Sequence, residues 1–403
     1  MNHQHLIPQV LQWLEQLRLN NEPYGAYRMS RSTEATLFSS CFALFIRKLC
    51  NDLDTITNDQ RKEWSELIKS SQDEKTGLFI CPELKNNNKW SENLTSHHDW
   101  GYVAWQSTTF CLSALEALND KPRFPFKFLE KWNSEETIIK FLEKLDWNKR
   151  VWTAGNIAMF LGIALICNQE MCGNDNSSFI NCFFDWHDKF QDSKSGFWCT
   201  ENTPTLLALF GAMHQFLLYY YTERSLKYKR KIIDNTLRFQ EKDGHFFPCG
   251  GGVCEDYDAA NTLVNMYKKI DYRQKDIENS LRLLFKAVLK TRGNDGGFLW
   301  VNRKNYIIKD WCDQVFSFQR YRHLKDWKMA LRRTTGTQLR RIKKQGRLPS
   351  GWIDTPIPLH ESDLFATWLR LLVIAEVSQI IQTPFSKINW NFLKTPGLGW
   401  SSS

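Results

Sequence analysis

Gln191-Asp-Ser-Lys-Ser-Gly196-Phe-Trp decides the fold, because the same turn returns along the chain. It recurs as Gln72-Asp-Glu-Lys-Thr-Gly77-Leu-Phe, Gln240-Glu-Lys-Asp-Gly244-His-Phe and Asn294-Asp-Gly-Gly297-Phe-Leu-Trp, with Leu348-Pro-Ser-Gly351-Trp as a weaker copy. Glycines 196, 244, 297 and 351 are 48, 53 and 54 residues apart. The 119 residues from Gly77 to Gly196 leave room for one degenerate unit, read at Phe141 to Asn156, where Trp147 and Trp152 survive.

Each turn is followed by a helix-length apolar segment: Trp100 to Leu118, Ile157 to Cys167, Thr205 to Tyr221, Ala259 to Tyr267, Asp313 to Tyr321 and Ser362 to Ile381. Each is preceded by a more amphipathic segment, such as Lys229 to Gln240 or Gln274 to Thr291. Two helices per repeat and no alternating strand pattern describe a helical hairpin. About six hairpins closed into a circle remove the ends that an open solenoid must cap. The expected architecture is an all-α, (α/α)6 toroid occupying residues 1–403 as one domain, with the more apolar helices inside and their N-termini around one mouth.

The composition suits a large core: 42% hydrophobic and 24% charged residues. Aromatic content is high, with 17 Trp, 27 Phe and 12 Tyr, many beside the turns, so an aromatic-lined cavity competes with simple core filling. Eleven cysteines without a CxxC pair, and a polar N-terminus, lead to an expectation of reduced thiols in the cytoplasm. The longest apolar stretches are interrupted by Asn156 and by Arg370 and Glu376, which argues against membrane spans while leaving peripheral membrane contact open. The basic run Arg332, Arg333, Arg340, Arg341, Lys343, Lys344 and Arg347 reads first as a solvated helix face, and no nucleic-acid partner is expected.

The pattern Gln-x-x-(x)-[Asp/Ser]-Gly-aromatic before an acidic helix start resembles the repeat of squalene-type cyclases and prenyltransferase β subunits. A single toroid of this length is most similar to the monodomain class II terpene cyclases of the merosterolic acid synthase type. That resemblance implies a protonation-initiated cyclase acting on a hydrophobic isoprenoid, either a polyprenyl chain or a prenylated aromatic acid, with no cofactor and no obligate protein partner. Other toroids of this size act on glycans as lyases, epimerases or hydrolases, and zinc prenyltransferase-like and non-enzymatic toroids are further alternatives. For zinc, the residues in question are Asp310, Cys312 and His360, whereas the main reading has no metal. The Asp-x-Asp-Asp-Thr-Ala motif of two-domain cyclases is only approached, by Glu255-Asp-Tyr-Asp258-Ala-Ala.

His97-His98-Asp99-Trp100 opens an apolar helix, and an acid beside imidazoles and indole suits alkene protonation, with Asp99 as the donor; simple N-capping is the competing reading. Glu255, Asp256 and Asp258 crowd a second helix start, where mutual repulsion holds a proton on one of them, and Asp256 or Asp258 is the reserve donor. Equivalent starts give Asp310 and Asp313, then His360, Glu361 and Asp363. Trp100, Trp105, Trp152, Trp198, Phe247, Trp300, Trp311 and Trp352 are the candidate substrate-facing rings, serving a carbocation or a sugar equally well. An aromatic and aliphatic mouth favours the cyclase, and one rich in Arg and carboxylates favours a glycan. Walker, GxGxxG, nucleophile-elbow and HExxH motifs are missing, which disfavours nucleotide, serine-nucleophile and metalloprotease chemistry.

Overall fold

A computed structural model describes residues 5–81, 99–250, 252–301, 308–316, 321, 323–347 and 351–401, without the side chains of Asp310 and Arg347. The chain is an all-α toroid of six hairpins. Outer helices are α1 (Leu6–Glu15), α3 (Asn58–Lys69), α5 (Glu135–Lys144), α7 (Ser177–Phe190), α9 (Lys229–Arg238) and α11 (Gln274–Leu289). They alternate with inner helices α2 (Leu37–Leu49), α4 (Trp100–Ala117), α6 (Val151–Cys172), α8 (Thr205–Tyr221), α10 (Val253–Lys269) and α14 (Leu364–Val377). Each inner helix packs on the next, and α14 closes on α2.

Sequence explains the two layers. Outer helices bury a stripe, as in α9, where Ile232, Ile233 and Thr236 face inward and lysines face water. Inner helices are buried on nearly every side, as in α8 from Leu206 to Tyr220. Helix α6 is long and apolar enough to cross a membrane, but as an inner helix most of it is buried in the protein.

The repeated Gln works as a strap. Gln191 Nε2 donates to the Gly196 and Lys227 carbonyls, Gln72 to those of Gly77 and Phe124, and Gln240 to those of Gly244 and Ser280. Each strap therefore ties its own turn to the next outer element. Gly77, Gly196 and Gly244 have φ of +80°, +81° and +95°, and a Cβ there would strike Pro125, Ile232 and Leu283 respectively.

Two expectations need correction. The described part of Asp313 to Tyr321 supplies no inner helix. The interval between the fourth turn and α14 is an excursion containing α12 (Ile308–Val315), α13 (Leu324–Ile342) and the small antiparallel pair β1 (Gln345–Arg347) and β2 (Ile357–Pro358). Gly351 belongs to that excursion, so its spacing from Gly297 mimicked the repeat. The missing hairpin lies at the front of the chain, where α1 and α2 flank Gly25, whose φ is +105° and whose α-carbon lies against Trp64.

Candidate active site at the mouth of the ring

The inner helices start at one end of the ring, and α10 starts there with its acidic residues. The loop ahead of it is strained: Cys249 has φ +66°, Gly250 +65° and Gly252 +97°. Gly252 makes room for Glu255, since a Cβ at that position would lie 2.1 Å from the Glu255 Oε2.

The three carboxyls have different surroundings. Burial pushes the Glu255 carboxyl up to about 7, against the opposing pull of the Arg333 charge, and its Oε2 is buried without a hydrogen-bond partner. Burial, with Glu255 nearby, pushes Asp258 well above the usual carboxylate range, and its Oδ2 is also unpartnered. Asp256 goes the other way. Burial raises it, but the charges of His245 and Arg370 and the hydrogen bonds it accepts outweigh that penalty and leave it below the usual value. His245 Nδ1 lies 2.7 Å from Asp256 Oδ2, the Phe246 amide donates to Oδ1 at 2.8 Å, and Arg370 from α14 pairs with Oδ2. Asp256 is thus held toward its ionised form as an anchor, whereas burial favours the protonated forms of Glu255 and Asp258.

Lower in the ring Asn261 donates to Glu376 at 2.8 Å, and burial pushes that carboxyl up to about 8. A polar seam therefore joins α10 to α14 through the core.

Helix α13 lies across the mouth. Its buried Asp326 accepts from the Thr205 amide at 2.5 Å and so caps α8. The stripe α13 turns inward is polar: Thr334, Thr337, Gln338 and Arg341, the last bonded to the Cys249 carbonyl. The Arg333 guanidinium sits 5.9 Å from the Trp152 ring and 5.7 Å from the Phe247 ring. The basic run is consequently not one solvated face; Lys343 and Lys344 are exposed, while Arg341 is buried and Arg340 is half-buried.

The aromatic candidates separate by position. Trp152 and Phe247 are beside Arg333, Trp300 stacks on Phe365 at 5.8 Å, and Trp352 donates to Gln106 Oε1 at 2.7 Å while packing on Phe38 and Phe365. Trp100 is half-buried at the start of α4. Trp105 packs outward on Phe128 and Trp132, and Trp198 donates to the His187 carbonyl between α7 and α8, so both belong to the packing between layers. Trp311 is exposed on α12.

Asp99 occupies the N-cap position of α4, half-buried, but its side chain makes no capping bond. His97 and His98 lie outside the described residues. Asp363 does cap α14, through the Ala366 amide at 2.8 Å, and Glu361 accepts from the Ser32 amide. Asp313 is paired with Lys309 on α12, which is not one of the inner helices. Cys312 also lies on α12 and His360 is exposed before α14; among the described residues no group of three His, Cys, Asp or Glu could hold a metal.

Sequence reasoning missed His245, Arg370 and Arg333 as site residues. Arg370 carried a signal: an arginine inside the apolar run Leu364 to Val377 needs a buried anion.

No protein-family model matches the chain, and no curated protein matches it in sequence. Among solved structures it resembles the GH76A alpha-1,6-mannanase from Salegentibacter sp. HEL1_6. The identity is 10% and the TM-score 0.45, over 94% of this chain and 99% of that one. The expectation of a class II terpene cyclase, and with it an isomerase forming meroterpenoids through a carbocation, is corrected. The mouth is not a wall of rings and aliphatics: Arg333, Arg340, Glu255 and Asp258 stand among its aromatics, where a carbocation would meet fixed positive charge.

Proposed function

We propose that the chain is a glycan-active enzyme whose general acid is Glu255. The observation that carries the reading is the Glu255 carboxyl itself, buried at the mouth, shifted to about 7 and keeping an unpartnered oxygen. A carboxylic acid that holds its proton near neutrality, and has no internal acceptor for it, is prepared to donate to a substrate oxygen. In hydrolytic cleavage the proton passes from Glu255 to the bridging oxygen, which takes the electrons of the breaking carbon–oxygen bond and leaves as a hydroxyl; a water oxygen bonds to the anomeric carbon in its place, and the proton that water sheds to solvent is regained by Glu255 at the end of the cycle. The carboxylate left behind is stabilised by the neighbouring charges of Arg333 and Arg340. Trp152, Trp300 and Trp352 offer ring faces to sugar at the same end of the protein. Asp256, Arg370 and His245 act as positioning residues, holding the start of α10 in place.

The test is a reducing-end assay over a panel of oligosaccharides, among them α-1,6-linked mannan. Glu255→Gln, near-isosteric but without the transferable proton, should lower kcat by about 10² to 10⁴ while the melting temperature is kept. Full turnover in that variant would remove the reading.

A further inference from the structure

Helix α13 brings an excess of positive charge over Glu255. Arg333, Arg340 and Arg341 lie close enough for their charges to act on one another or on that carboxyl. Arg341 is committed to the Cys249 carbonyl. Among the described residues, no carboxylate lies within ion-pair distance of Arg333 or Arg340; Arg340 reaches only the Thr337 hydroxyl, at 3.4 Å. Burial disfavours the charged forms of both Glu255 and Asp258, so the Glu255 charge that acts on Arg340 offsets only part of the positive excess. Asp256 is already engaged by Arg370.

The charge is also concentrated along the sequence. Twelve of the 53 Lys and Arg, and three of the 44 Asp and Glu, fall between residues 308 and 347, an excess equal to the +9 of the whole chain. The hairpin repeats are therefore balanced overall, and the net charge belongs to the excursion that includes α13. Such a concentration raises the local density of anions and speeds their capture. Arg333 and Arg340, seven residues apart on one face of α13, present forked donors matched to carboxylate or sulfate oxygens. Arg333 is also braced against Trp152 and Phe247.

We propose that the mouth selects an anionic glycan, bearing carboxylate or sulfate groups, which Arg333 and Arg340 grip beside Glu255. This rests on the glycan-active reading above. In the free protein burial lowers the Arg340 pKa, the Glu255 charge opposes that, and the charges of Arg333 and Arg341 add to it, so the two arginines repel each other beside one buried carboxyl. A bound anion supplies the missing counter-charge.

Calorimetry on the full chain tests this with three probes of equal length: an oligogalacturonate, a sulfated dextran oligosaccharide and a neutral α-1,6-mannan oligosaccharide. The expected result is binding of an anionic probe at least about tenfold tighter than the neutral one, the scale of one charge-assisted hydrogen bond. Whichever anionic probe wins identifies the group recognised. In Arg333→Gln/Arg340→Gln, the ratio of anionic-probe to neutral-probe affinity should fall to about one. If the double variant unfolds, Arg340→Lys and Arg333→Lys, which keep charge but lose the fork, should each reduce the preference. Equal affinity for charged and neutral probes, or a preference that survives in all these variants, would overturn the proposal. Cleavage of neutral oligosaccharide without charge preference would sink the anion selectivity and leave the glycan-active reading standing. Arginine-dependent binding of an anionic probe, with no glycan cleaved, would do the reverse.

Discussion

The α6–α8 wall and the α10–α14 wall both bring two inner helices together, by opposite means. Between α6 and α8 the side chains are almost removed: a Cβ on Gly155 would lie 2.2 Å from the Gly211 carbonyl oxygen, and one on Gly211 2.6 Å from that of Val151. Between α10 and α14 the contact is ionic and hydrogen-bonded, through Asp256 with Arg370 and Asn261 with Glu376. The glycine wall fixes spacing and adds no reactivity. The polar wall costs desolvation, and a fold that needed only spacing would gain nothing from it. Its position next to Glu255 indicates what the cost supports: a start of α10 that cannot shift while an acid works beside it.

The sharpest way to break that contrast is Arg370→Met. Removing one partner from a fully buried pair leaves Asp256 uncompensated, and we expect a loss of about 3–5 kcal/mol in denaturant unfolding. Asp256→Leu combined with Arg370→Met should recover much of the stability and none of the activity, which separates anchoring from packing.

Gly155→Ala attacks the other wall. Overpacking against a backbone carbonyl should cost about 1–3 kcal/mol, with the Glu255 titration unmoved. A changed pH profile in this variant would mean that the walls are not independent.

The pH dependence of stability is a milder probe. Burial raises Glu255 to about 7 and Glu376 to about 8 from the 4.5 of an ordinary glutamate, so the folded state binds more protons than the unfolded state above 4.5. Their stabilising effect is full below that value and is lost as pH rises through 7 and 8. Burial lowers His187 to about 3 and His214 to about 4 from 6.5, so these groups favour folding above 6.5 and withdraw that support as pH falls. Between 4.5 and 6.5 the two effects oppose each other, and melting temperature should be nearly flat, falling on either side. Glu376→Gln should flatten the alkaline side; an unchanged slope would show that Glu376 ionises normally in the folded protein. The smallest effect is expected from Trp311→Ala on the exposed α12, within about 0.5 kcal/mol and without change in turnover.

The toroid was legible because its repeat is enforced locally. A turn that needs a left-handed glycine and a glutamine strap leaves both residues in the sequence at three copies, Gln72 with Gly77, Gln191 with Gly196 and Gln240 with Gly244, even where the helices between them have diverged. The excursion was misread for the same reason: Gly351 fell at a repeat-like distance, and spacing cannot tell a strap from a coincidence. At the site, the acidic helix start at Glu255 to Asp258 was visible, but not the division of labour within it. Three acids in four residues look equivalent on paper. What separates Asp256 from Glu255 is Arg370, 114 residues away, and His245 across the turn, and no local pattern encodes that meeting. Arg333 was hidden within a basic run that also holds Lys343 and Lys344, which do face water.

Glu255 is the centre of the account, and its titration is the most direct test. Carboxyl carbon-13 NMR of glutamate-labelled protein, with Glu255→Gln used to assign the resonance, should show Glu255 titrating near 7. A Glu255 resonance that titrates at about 4.3, as an ordinary solvated glutamate does, would contradict the account.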